Sequence, residues 1–331
     1  MFSQKNIIRI ALNSLLGAIL IYFWFGLIDF NHVLEELKRI NYFSLFPFIL
    51  LFLLSGVIRA WRLKILLSDF KLRLKDMIPL TYLGQLLSFT IPLRLGEISK
   101  AVYLSTEYKL DFSKSIVWIL LDRFLDFWVL LLMVFILLLF IPTNLPSGLQ
   151  QTLVLLIFLF SLAGSLALFL PSLTKKLVTI FSELLIFSLP KKLFLKLTNF
   201  LLDTTSLLKK GVGGMSSVFL LTALALISDG LGWYVLFATL NQTELPKIFL
   251  GSLLTSLTYL IPAAPGYVGS AEAAGLAVFS YGLGIDKVVT SVVTVLAHGL
   301  TLLCILIAGV ISLYLLKFDL KLVFKKLKKS S

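Results

Sequence analysis

The chain has 331 residues, of which 59% are hydrophobic and 14% charged, whereas charged residues make up about a quarter of ordinary soluble domains, so an ordinary soluble domain is excluded. Thirty Lys and Arg against 17 Asp and Glu give a net charge of +13, which raises either nucleic acid or an anionic membrane surface as partner, and the apolar excess decides for the membrane. A single Cys, Cys304, and two His, His32 and His298, leave no disulfide framework and no recognisable zinc spacing; no metal and no cofactor is expected.

A helix crosses the hydrocarbon with roughly 20 apolar residues, each adding about 1.5 Å. Residues 7–28 predict the first crossing. The run is longer than a secretory core and has no small-residue cleavage site before Asp29, so it is read as a retained helix. Residues 43–60 predict the second and lead into Arg59, Arg62 and Lys64. The apolar region 77–105 is too long for one crossing and is broken at Pro92-Leu-Arg-Leu-Gly-Glu97. Such a break at membrane depth is tolerated only where backbone lines a cavity or is buried in protein, so a re-entrant pair of half-helices is predicted. Crossings over 115–141 and 150–171 follow, then an amphipathic, Lys-rich stretch over 172–214 that suits a membrane surface. A fifth crossing over 216–240 precedes a second broken region, 248–282, interrupted at Pro262-Ala-Ala-Pro-Gly-Tyr-Val-Gly-Ser-Ala-Glu272. Residues 288–316 predict the sixth crossing, before a basic tail over 317–331. The expected fold is an all-α polytopic membrane protein, one integral domain over 1–331, with about six transmembrane helices and two re-entrant hairpins.

The basic residues orient this arrangement, because cytoplasmic loops carry the Lys and Arg excess. With six crossings and two hairpins, 25 of the 30 fall on the side of both termini and four, Lys38, Arg39, Lys247 and Lys287, on the other, while Arg123 lies inside a crossing. Were each hairpin a full crossing, the asymmetry would largely collapse. The expected location is the cytoplasmic membrane with both termini cytoplasmic, where the Lys-rich segments meet anionic lipid head groups. No basic soluble domain is seen to host nucleic acid.

The two broken regions resemble each other. Leu83-Gly-Gln-Leu-Leu-Ser88 running to Ile91-Pro92 parallels Leu250-Gly-Ser-Leu-Leu-Thr255 running to Ile261-Pro262. In the orientation above the hairpins enter from opposite sides, as in an inverted repeat with halves over about 43–141 and 216–316.

A charge at the bilayer centre costs at least about 2.5 kcal/mol, so each needs a partner or an aqueous cavity. Arg94 and Glu97 sit at the first break, Asp122, Arg123 and Asp126 in the third crossing, Asp229 in the fifth, Glu272 after the second break and His298 in the last crossing. Asp122 and Asp126 share a helix face, with Arg123 in reach of Asp126. Either these groups ready Arg94 or Arg123 for a phosphate, or they lock crossings together. Arg94 opens a half-helix whose free amides favour an anion, unless it pairs with Glu97. Glu272 either receives a cation or proton or caps the helix beginning near Ser270. His298 is read as a hydrogen-bonded packing residue rather than a relay. Arg59 and Arg62, flanking Trp61, read as an interfacial anchor with a phosphate contact as the alternative.

Arg59-Ala-Trp-Arg62, Pro92-Leu-Arg-Leu-Gly-Glu97, Asp122-Arg-Phe-Leu-Asp126 and Pro265-Gly-Tyr-Val-Gly-Ser-Ala-Glu272, in this order, resemble the lysylphosphatidylglycerol synthase transmembrane family, also called flippase-like. The resemblance implies movement of a lipid between leaflets; in the best-known relatives the lipid is an aminoacylated phospholipid made by a soluble C-terminal domain. Here the sequence ends at Ser331, so synthase activity is not expected and a separate lipid-synthesising enzyme is the implied partner. Lys100 stands where the family often has a second Arg, which leaves the substrate open.

Three readings follow. A lipid translocase uses Arg59, Arg62, Arg94, Glu97, Asp122, Arg123, Asp126 and Glu272 to bind a phosphate-bearing lipid. A membrane-embedded transferase on polyprenyl phosphate has Asp122 and Asp126 hold Mg²⁺, although only one acidic cluster is present. In a non-transporting scaffold the same charges act only as interhelical locks.

Overall fold

The computed structural model describes residues 4–90, 95–170, 172–176, 212–258, 264–319 and 322. Arg94, most of the 172–214 segment and most of the basic tail lie outside these residues, as do the expectations placed on them. The described residues are helical, with no strand. Five helices are long and apolar enough to cross a membrane, and a sixth counts if a bent pair at the N-terminus is one span.

That pair is α1 (Gln4–Leu27) and α2 (Phe30–Arg39), where the chain bends by 86° between Gly17–Leu27 and Phe30–Arg39. Asp29 makes the corner by accepting from the His32 backbone N–H at 3.2 Å, so one of the free amides of α2 is satisfied. A single 3₁₀ turn, Tyr42–Leu45, leads into α3 (Phe46–Leu66). This helix runs six residues past the expected end at residue 60 and carries Arg59, Arg62 and Lys64 within it. Then come α4 (Leu74–Thr90), α5 (Leu95–Glu107), α6 (Phe112–Phe140) and α7 (Ser147–Phe169). After residues 177–211, α8 (Val212–Ala238), α9 (Leu245–Thr258) and α10 (Ser270–Gly275) follow. A π-helical turn over Leu276–Gly282 extends α10, and α11 (Lys287–Leu315) starts on Asp286, whose carboxylate accepts from the Val288 and Val289 amides.

At about 1.5 Å per residue, α4, α5 and α9 reach about 26, 20 and 21 Å, short of the roughly 30 Å hydrocarbon. In each broken region two short helices flank residues outside the described ones, α4 and α5 on either side of 91–94 and α9 and α10 on either side of 259–263. The arms of the first lie against each other, and glycine makes this possible: a Cβ on Gly96 of α5 would run into the Gly84 carbonyl of α4. In the second region Gly269, at φ +81°, sits so close to Gly17 of α1 that a side chain on either would strike the other strand of chain.

The order helix, hairpin, helix occurs twice, as α3, α4–α5, α6 and as α8, α9–α10, α11. The leading helices α3 and α8 make the most extensive contact in the structure. Each hairpin's first arm packs on the final helix of the other half, α4 on α11 and α9 on α6, while α7 leans on α6. The outer surface carries large apolar side chains such as Phe43, Phe140, Phe160 and Tyr314, as lipid contact requires.

Candidate functional site

Helical spacing places Ser55, Arg59 and Arg62 on one face of α3, and that face points inward. The Arg62 side chain is 0% exposed. Its Nε and Nη2 both reach Asp122 Oδ1 of α6, at 2.8 and 2.6 Å, and Nη1 pairs with Asp126 Oδ1 and donates to Thr222 Oγ1 of α8 at 3.0 Å. Thr222 sends its own proton to the Val218 carbonyl, which leaves the hydroxyl oxygen free to accept. Arg59 donates from Nη2 to Asp229 Oδ2 of α8 at 2.7 Å and from Nη1 to Ser55.

These contacts correct the interfacial-anchor reading. Arg59 and Arg62 do not snorkel to head groups, because carboxylates on α6 and α8 meet them inside the bundle. Trp61, which lies off their shared face, alone keeps the outward position, with 51% of its surface exposed.

Arg123 of α6 lies on the open side of the same network. Nη2 donates to Asp122 Oδ2 at 2.8 Å, Nη1 meets Asp126 Oδ2 at 3.2 Å as the i, i+3 spacing led one to expect, and Nε lies 3.5 Å from Glu97 Oε1 of α5. Glu97 is also held by Lys100 Nζ at 3.2 Å. Arg94, which the sequence offered as the partner of Glu97, lies outside the described residues. Among the described residues the network joins four cations, Arg59, Arg62, Lys100 and Arg123, to four carboxylates, Glu97, Asp122, Asp126 and Asp229. It is therefore balanced in charge.

The balance is not uniform in space. Arg62 spends its donors inside protein, whereas the Arg123 side chain is 37% exposed and its buried Nε–H has no hydrogen-bond acceptor. Only one of the two reaches a cavity of about 400 Å³: Arg59, Glu97, Lys100, Arg123 and Asp229 line it, and Arg62, Asp122 and Asp126 do not. Much of the remaining wall is aromatic, from Phe48, Phe52, Phe89, Trp233 and Tyr267, with polar groups that include Ser55, Thr81, Gln85, Ser88, Ser256 and His298. A volume of this size holds a small polar head group. Among the described residues no group of three His, Cys, Asp or Glu side chains is disposed to hold a metal. The lone pairs of Asp122 and Asp126 are directed at guanidinium groups, which does not suit the Mg²⁺ role weighed for them.

Glu272 stands apart from the network. It caps α10, its Oε2 accepting from the Gly269 amide at 2.8 Å, which is one of the two roles expected of it. Its other oxygen lies 2.6 Å from His298 Nδ1, and His298 Nε2 lies 2.6 Å from the Gly266 carbonyl. His298 is thus a hydrogen-bonded residue within the packing, as expected, with both ring nitrogens engaged. Sequence reasoning missed this pair and the Arg59–Asp229 pair. A signal was present for Asp229, Glu272 and His298, since each lone ionisable group at membrane depth requires a partner.

The family model for the lysylphosphatidylglycerol synthase TM region matches residues 8–309, a span that contains every residue of the network and of the His298 pair. No curated protein matches the chain.

Proposed function

The chain belongs to the lysylphosphatidylglycerol synthase TM-region family, the family its motifs resemble, and from that premise we propose that it moves a phosphate-bearing phospholipid or glycolipid between leaflets of the cytoplasmic membrane. The observation that carries this reading is the contrast between Arg62, consumed within protein, and Arg123, open to the cavity with donor capacity to spare. Guanidinium suits a phosphate because its planar fork matches two oxygens at once. A phosphate arriving at Arg123 displaces Glu97 from its 3.5 Å contact, and Glu97 falls back on Lys100, so no carboxylate is stranded at membrane depth. Arg59 and Asp229 form a second, separable pair across the cavity wall. The aromatic lining shields the head group while the acyl chains stay in lipid.

On this reading Arg62, Asp122 and Asp126 are the interhelical lock and the cavity-facing charges are the binding groups, so the two roles weighed for the cluster divide between its members. The reciprocal packing of α4 on α11 and α9 on α6 supports an inverted repeat of two re-entrant hairpins. The basic-residue asymmetry supports cytoplasmic termini. No catalytic role is assigned to these residues.

The test is reconstitution into vesicles that carry a fluorescent anionic phospholipid, with a membrane-impermeant reductant added outside. Translocation makes the inner-leaflet fluorescence accessible in a protein-dependent way. Equal protection in protein-free and protein-containing vesicles contradicts the reading.

A further inference from the structure

His298, in α11, faces two acceptors. The Gly266 carbonyl lies 2.6 Å from Nε2 and Glu272 Oε1 lies 2.6 Å from Nδ1. A neutral imidazole has a single N–H and cannot serve both. The second Glu272 oxygen already accepts from the Gly269 amide at 2.8 Å, so any carboxyl proton has to sit on Oε1, facing the ring. Whether that proton resides on the ring or on the carboxyl, the arrangement holds one proton more than a neutral imidazole beside a carboxylate.

We propose that His298 and Glu272 form a proton-binding site, and that the bound proton latches the chain segment 264–269 to α11. This segment is the return of the second broken region. It is a tight turn, with the Tyr267 amide donating to the Ala264 carbonyl at 2.9 Å and positive φ at Gly266, Tyr267 and Gly269 of 69°, 57° and 81°. The Tyr267 ring packs on Phe89 of α4 at 5.5 Å, and Phe89 in turn lies 6.1 Å from the His298 ring. Tyr267 and His298 both line the cavity, so the latch is part of its wall. When the proton leaves, the remaining N–H goes to the charged carboxylate, the stronger acceptor. Nε2 then turns a lone pair on the Gly266 carbonyl, and the turn is released.

The charged groups that line the cavity together with His298 are Arg59 from α3, Glu97 and Lys100 from α5, Arg123 from α6 and Asp229 from α8, while α4 and α9 contribute Thr81, Gln85, Ser88 and Ser256. Glu272 comes from α10; α2 also packs on α11 but lends no residue to the cavity. The site stands on its own geometry and does not depend on the translocase reading. Under that reading, proton binding is the step that closes the second hairpin on the cavity.

Hydrogen exchange of the protein in lipid, followed by mass spectrometry over a pH series and corrected for the chemical exchange rate, tests the latch on peptides covering 264–275. In wild type, protection is highest at low pH and falls as pH rises, by up to about tenfold per pH unit, the slope that one linked proton sets. In Glu272→Gln the side-chain amide donates to Nδ1 of a neutral ring whose Nε2–H keeps Gly266, so protection stays high and flat. In His298→Phe it is low and flat. Melting in detergent shows that each variant is folded. A flat wild-type profile, or a wild-type slope in either variant, overturns the proposal. Should Glu272→Gln not fold, the His298→Phe profile decides alone.

Discussion

Arg62 of α3 and Asp122 of α6 are joined by two contacts on one carboxylate oxygen, at 2.8 and 2.6 Å, and their side chains are 0% and 3% exposed. Asp122 turns its other oxygen to Arg123, so one buried carboxylate divides an inner guanidinium from one that faces the cavity.

Arg62→Met strands Asp122 and Asp126 without their inner cation. Breaking a buried pair from one side costs about 3–5 kcal/mol, and a loss of that order is expected in the unfolding free energy measured in detergent. Adding Asp122→Asn to Arg62→Met removes one uncompensated charge and restores part of the loss.

Arg123→Gln leaves the inner lock in place, and Lys100 still holds Glu97. The protein is expected to fold. A charge-assisted hydrogen bond contributes about 1.5–3 kcal/mol, so affinity for an anionic phospholipid in nanodiscs falls about ten- to a hundredfold. Affinity for an uncharged lipid is unchanged.

Asp229→Asn acts in the opposite direction. Asp229 pairs with Arg59 at 2.7 Å on the cavity wall. Neutralising it leaves Arg59 with a net charge toward the cavity. Binding of anionic lipid strengthens and binding of lipids with a cationic amine weakens, a reversal that a pair of native mass spectra reads directly.

Gly96→Ala places a methyl group against the Gly84 carbonyl, and Gly269→Ala combines a positive φ with a clash on α1. Overpacking of this kind costs about 1–3 kcal/mol. Both variants are expected to melt earlier than wild type, while Gly148→Ala, with open space around it, melts with wild type.

Most of this fold could be read in the sequence, because apolar length and Pro–Gly breaks are local signals. The boundaries of α6, α7 and α11 fall within three residues of the expected ones. The end of α3 was misplaced because charge was taken as the sign of an interface. Arg59 and Arg62 continue a buried helix face, and what keeps them there is Asp122, Asp126 and Asp229 on two distant helices. Spacing within one helix revealed Arg123 with Asp126 and Glu272 at the start of α10. It could not reveal Glu272 with His298, since 26 residues and a packing decision separate them. Local periodicity names the faces of helices; which faces meet is decided by tertiary packing.

The claim that Arg123 reads the lipid phosphate is tested most directly by the vesicle translocation assay, run with wild type and Arg123→Gln at matched incorporation and with melting measured on the same samples. The expected result is a fall of about tenfold or more in the protein-dependent rate for an anionic phospholipid, with little change in melting. Equal rates for the two proteins contradict the account.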